Sequence, residues 1–132
     1  MKKEEVVLAL KKFKKAVSTL KEGVDNAKTQ LEKDGVIQRF EYTFELFWKM
    51  LKIILKYYGI ECNSPRSCIE ESFKTELIEI EDEEKYLDML EDRNLTSHIY
   101  NEKQTKKIFD RIKKYYVKLF FKFLENIERE IL

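Results

Sequence analysis

Turn-making residues are nearly absent from this chain. Three glycines and one proline stand among 132 residues, which leaves few places to break a helix and favours long ones. Long apolar runs are missing too: no stretch approaches the roughly 20 residues of a membrane span, so no membrane partner is expected. The opening MKKEEVVLAL sets acids directly after its lysines and carries only a short apolar run, which is not the pattern of a secretory leader. A cytoplasmic location is therefore expected. With it go reduced thiols at the only two cysteines, Cys62 and Cys68. Those two sulfurs and the single histidine, His98, are too few at this spacing for a structural zinc site. Neither a metal nor a cofactor is expected.

What is present is charge and aromatic carbon. Charged residues make up 39% and hydrophobic residues 43%. The length fits a single domain spanning 1–132, long enough to bury a core without cross-links. The net charge of +1 hides a strong asymmetry. Residues 70–92 hold eleven acids and two lysines, and residues 103–122 hold eight bases and one acid, Asp110. A basic block suits a phosphate-rich partner, or else it is a solvated helix face.

Apolar spacing organises the chain as helices. Val6, Leu10, Phe13, Val17, Leu20, Val24, Ala27 and Leu31 make an unbroken 4-3 seam, predicted to end or bend at Asp34-Gly35. A second seam runs Val36, Phe40, Phe44, Phe47, Leu51, Ile54, Tyr58 and stops at Gly59. Ser64 before Pro65 predicts the start of a short helix through about Lys74. Asp82 opens a fourth helix bearing Tyr86, Leu87, Met89 and Leu90. Asn101 with Gln104 reads as a capping box for a last helix with the seam Phe109, Ile112, Tyr116, Leu119, Phe123 and Ile127. No strand alternation persists. The expected fold is all-α, an antiparallel up-down bundle of three long and two short helices. Aromatics ring most of the second helix, including Tyr42, Trp48 and Tyr57, so a second layer or a partner copy must cover it, and a homodimer is expected.

The segment EDRNLTSHIYNE, residues 91–102, carries the candidate chemistry. Arg93 falls in the last turn of the fourth helix, and His98 in the linker. Histidine titrates near neutrality and moves protons; the guanidinium fork matches phosphate oxygens. Together they suit metal-free RNA cleavage, the base taking the 2′-hydroxyl proton and the cation stabilising the phosphorane. Two chains meeting at a dimer axis would supply both an acid and a base. The residues alone leave a second reading open: Arg93 paired with Glu91 or Asp92, beside a surface histidine.

Three blocks, DGVIQRFEYTFELFWKMLK, SPRSCIEESF and YLDMLEDRNLTSHIYNE, resemble in order the HEPN family. The closer likeness is to its small helical branch of nucleotidyltransferase substrate-binding proteins, over about residues 4–130. The resemblance implies a dimeric bundle encoded beside a minimal nucleotidyltransferase, in a toxin–antitoxin arrangement. It also implies a metal-independent ribonuclease whose Arg-x4–6-His motif maps onto Arg93 and His98. Asn94 matches the polar residue of that motif. Tyr100, two residues past the histidine, is implied as the acceptor of a silencing AMP group. Lys103, Lys106, Lys107, Lys113 and Lys114 are candidates for the RNA backbone; DNA is not expected. The alternative is a non-catalytic adaptor that presents substrate to the nucleotidyltransferase.

Overall fold

In the computed structural model, which describes residues 3–131, the chain forms three long and two short helical rods. No strand occurs among the described residues, and none of their helices is long and apolar enough to cross a membrane. The order is α1 (Lys3–Asn26), α2 (Gln30–Tyr57), α3 (Pro65–Lys74) and α4 (Glu83–Leu95). The last rod is continuous: α5 (Glu102–Arg111), a π-helical turn (Ile112–Tyr116) and α6 (Val117–Ile131). Helix α2 is the hub, lying against α1, α3 and α5, while α6 returns alongside α1.

The first seam stops earlier than its spacing suggests. Helix α1 buries Val6, Leu10, Phe13, Val17, Leu20 and Val24 but ends at Asn26. Leu31 is 80% exposed, and Asp34-Gly35 lies inside α2. The cause is a capping box. Thr29 Oγ1 accepts from the Glu32 N–H at 3.1 Å, and Glu32 Oε1 accepts from the N–H groups of Lys28 and Thr29, each at 2.9 Å. These bonds satisfy donors that a new helix leaves unpaired, so α2 starts here rather than at the glycine.

The other boundaries follow their local chemistry. Helix α2 closes with Ile60 N–H bonded to Leu55 O at 2.8 Å and Gly59 N–H to Lys56 O at 2.9 Å. This Schellman closure needs the left-handed backbone that Gly59 adopts at φ 84°. Ser64 caps α3 by accepting from the Ser67 N–H at 3.1 Å, with Pro65 at the first helical position. The cysteines depart from expectation: Cys62 and Cys68 form a disulfide. Cys62 lies in the loop before Ser64 and Cys68 in the first turn of α3, which brings their Cα atoms to 5.1 Å, within bridging range.

The core is aromatic and closes within one chain. Phe13, Phe40, Phe44, Phe47, Tyr116 and Phe120 are all fully buried. Phe47 lies 5.5 Å from the Phe13 and Tyr86 rings and 5.3 Å from Phe120, tying α1, α2, α4 and α6 together. Aromatic pairs at such distances add about 0.5–1.5 kcal/mol each beyond their burial. The chain thus covers the phenylalanines of α2 itself, and leaves Tyr42, Tyr57 and Tyr58 exposed.

Candidate functional site

The 91–102 segment crosses from α4 to α5 through a single 3-10 turn, Thr96–His98. Helix α4 is bound at its C-terminal end on two sides. On one side Asp92, only 5% exposed, accepts from Arg111 Nε at 2.6 Å and Nη2 at 2.8 Å. The Tyr116 hydroxyl, delivered by the π turn, donates to the same carboxylate. Burial first, and then that bond to an anion, push the Tyr116 phenol well above its ordinary pKa. The bond to Asp92 likewise raises Arg111, keeping it cationic.

On the other side Arg93 Nη2 donates to Glu45 Oε1 from the middle of α2. Glu45 also accepts from Trp48 Nε1 at 3.2 Å. One turn earlier on α2, Glu41 accepts from Thr96 Oγ1 at 3.0 Å. Arg93 thus takes neither of its sequence neighbours, Glu91 or Asp92, as partner, and its Nε is buried without a hydrogen bond.

The rest of the motif faces solvent. His98 and Tyr100 are exposed, Tyr100 by 78%. Tyr100 Oη lies 3.2 Å from His98 Nδ1, with the hydroxyl donating when that nitrogen is unprotonated. Asn101 caps α5 by accepting from Gln104 N–H at 2.9 Å. Gln104 Oε1 in turn accepts from the Tyr100 N–H at 2.7 Å rather than from Asn101, so the cap fixes the backbone at the tyrosine. The hydrogen bonds among the described residues join His98 to Tyr100 and Arg93 to Glu45, and none joins Arg93 to His98. Asn94 is exposed, as are Lys103, Lys106, Lys107, Lys113 and Lys114.

Two clefts flank this turn. One, of about 410 Å³, includes Tyr100 with Gln30, Asp34, Glu102 and Thr105 in its walls. The other, of about 220 Å³, has His98, Gln104, Lys107 and Arg111 around an apolar floor of Leu95, Ile99 and Ile108. Residue chemistry in the sequence pointed to Arg93 and His98, and the family resemblance to Tyr100, but both missed Glu45, Glu41 and Arg111. One signal for the two acids was available: Glu41 and Glu45 sit one turn apart inside the aromatic stretch FEYTFELFW, residues 40–48, where a charge needs a partner.

The family model described as nucleotidyltransferase substrate binding protein like matches residues 8–129. A crystal structure of a protein from Thermus thermophilus is similar at 39% identity, covering 86% of this chain and 97% of that one, with a TM-score of 0.80. No curated protein matches the chain.

Proposed function

The chain belongs to the nucleotidyltransferase substrate binding protein like family, and we propose that it serves as the protein partner of a nucleotidyltransferase, offering Tyr100 as the acceptor. The observation that carries this reading is the exposed Tyr100 hydroxyl standing 3.2 Å from His98 Nδ1. An acceptor must reach into another protein's active site, and a residue just before the α5 cap that is 78% exposed can do so without unfolding. In the transfer, Tyr100 Oη attacks the α-phosphorus of a nucleoside triphosphate held by the enzyme. The O–P bond forms, the α–β anhydride bond breaks, pyrophosphate leaves, and the phenolic proton passes to His98. The Gln104 bond to the Tyr100 N–H holds the acceptor in place.

The test is incubation with the neighbouring-gene nucleotidyltransferase and ATP, read by intact mass and peptide mapping. One AMP on Tyr100 is expected, lost in Tyr100→Phe and slowed in His98→Ala. An unmodified chain, or modification elsewhere, overturns the reading.

A second reading is a metal-independent ribonuclease with Arg93 and His98 as its catalytic pair. The exposed His98 and the row of exposed lysines from Lys103 to Lys114 favour it. Within one chain Arg93 is held by Glu45, so this reading needs a homodimer in which a second copy completes each site. Cleavage of RNA by the purified protein without metal, abolished in Arg93→Ala and in His98→Ala, is its signature; an inert wild type in unmodified form excludes it.

A further inference from the structure

We propose that the cleft of about 220 Å³ between the 3-10 turn and α5 is a seat for the phosphate of a nucleoside monophosphate carried on Tyr100. This rests on the acceptor reading of Tyr100 and adds where the transferred group goes.

The two clefts beside Tyr100 have opposite chemistry. The larger one is walled by the carboxylates of Asp34 and Glu102, which repel a phosphodiester. The smaller one offers Lys107 and Arg111, one helical turn apart on the same face of α5, with Gln104 one turn before them. Tyr100 itself lines the larger cleft, but its hydroxyl lies 3.2 Å from Nδ1 of His98, which is part of the smaller cleft's wall. A phosphate on Oη therefore starts next to a residue of the basic cleft, and the carboxylates of Asp34 and Glu102 turn it away from the other.

The cations are placed for the task. Asp92 takes Arg111 Nε and Nη2, which fixes the guanidinium plane and leaves the Nη1 donors for another acceptor. The ion pairs among the described residues do not include Lys107. Among the described residues Asp92 is the one acid bonded into this group, so Lys107 and Arg111 together leave the cleft positive. Gln104 spends its carbonyl on the Tyr100 N–H and keeps its amide donors. Leu95, Ile99 and Ile108 supply an apolar floor for the sugar or base. At about 220 Å³ the cleft is smaller than a usual small-molecule site and has room for a phosphate and part of its nucleoside rather than for a strand. Arg93, committed to Glu45 on α2, is not among these groups.

The experiment is titration of AMP into the unmodified protein, followed by NMR at His98 and at the methyls of Ile99 and Ile108. Saturable shifts at these residues are expected in the millimolar range, since free AMP lacks the covalent tether. Lys107→Glu, an exposed position that leaves the fold intact, is expected to weaken binding at least about tenfold. Gln104→Ala is expected to weaken it less. No shift up to about 10 mM AMP, shifts confined to the Asp34–Thr105 side, or undiminished binding by Lys107→Glu overturns the seat. So does an oligoribonucleotide that binds through the same residues more tightly than AMP, which assigns the cleft to RNA. Because AMP alone is the probe, the seat and the acceptor reading fail separately. Modification of Tyr100 with no AMP in the cleft sinks only the seat, and AMP in the cleft with Tyr100 never modified sinks only the acceptor.

Discussion

Arg93, in the last turn of α4, is bonded to Glu45 in the middle of α2 and not to Glu91 or Asp92 beside it. Neighbouring residues on a helix point about 100° apart, so Asp92 and Arg93 face different elements. Asp92 turns to Arg111 and Tyr116, and Arg93 turns to α2. The end of α4, from which the His98–Tyr100 turn departs, is thereby fixed from both sides.

The Arg93–Glu45 pair is half-buried, so water still screens it and its worth is about 1 kcal/mol. Arg93→Met and Glu45→Gln are each expected to destabilise the fold by about that much. The glutamine retains an acceptor for Trp48. In urea unfolding the double variant should cost about 1 kcal/mol less than the two singles together. Strict additivity would mean that the pair contributes nothing and that Arg93 is free for other partners.

The break between α1 and α2 makes a second test. Thr29→Ala removes the cap and is expected to cost about 1 kcal/mol. Gly35 sits inside α2, and a Cβ there meets nothing within 4 Å. Gly35→Ala is therefore expected to stabilise by about 0.5–1 kcal/mol, whereas a chain that turned at Asp34-Gly35 would lose stability. The pH dependence follows from Glu32, whose carboxyl is held below its usual range by the Thr29 and Lys28 N–H groups. Its contribution is present above the unfolded pKa and is lost as pH falls through the lowered folded value. A fall in the protection factor of the Thr29 amide in acid, absent in Glu32→Gln, is the readout.

These cases show what the residues alone disclosed. The seams of α2 and of the last helix, the Ser64-Pro65 start and the Gly59 stop were legible because each depends on residues within a turn of one another. The α1–α2 break was not, since Ala27 and Leu31 keep the 4-3 spacing in phase across it; only Thr29-x-x-Glu32 marked it. Of the candidate site, Arg93 and His98 stood out by residue type, and Tyr100 only through the family resemblance. Their partners were not legible: Glu45 lies 48 residues from Arg93, and Arg111 lies 19 from Asp92. Such pairings are set by how α2 and α5 pack on α4. The π turn that delivers Tyr116 to Asp92 likewise left no mark in the seam, because Ile112 and Tyr116 remain one turn apart and both are buried.

Alkaline conditions should loosen the core through two tyrosines. Burial raises Tyr86 and Tyr116 far above the ordinary value of 10.0, with Asp82 adding to the first and Asp92 to the second. A phenol whose folded pKa is raised stabilises the fold fully below the unfolded pKa, and that contribution falls as pH rises past it. Urea midpoints are expected to be flat up to about pH 9 and to drop above about pH 10. Tyr86→Phe should flatten the drop while costing about 1 kcal/mol at neutral pH, because its bond to Leu119 O is lost. A midpoint that does not move up to about pH 11 would mean that neither hydroxyl is held in the core.

The disulfide tests the one place where the expected thiol state and the structure disagree. Cys62 and Cys68 are six residues apart, and the short loop they close constrains the unfolded chain by about 2 kcal/mol on the chain-entropy account. The bridge holds the 59–64 loop against the first turn of α3, whose Ile69 and Phe73 are buried in the core. Reduction with dithiothreitol, or Cys62→Ser, is expected to lower the thermal midpoint by roughly 5–10 °C. Because the Ser64 cap and the apolar face of α3 remain, far-UV helicity at 25 °C should persist. An unchanged midpoint after complete reduction, checked by thiol titration, would show that α3 is held by its cap and packing alone. A loss of α3 helicity on reduction would instead make the bridge the condition for that helix to form.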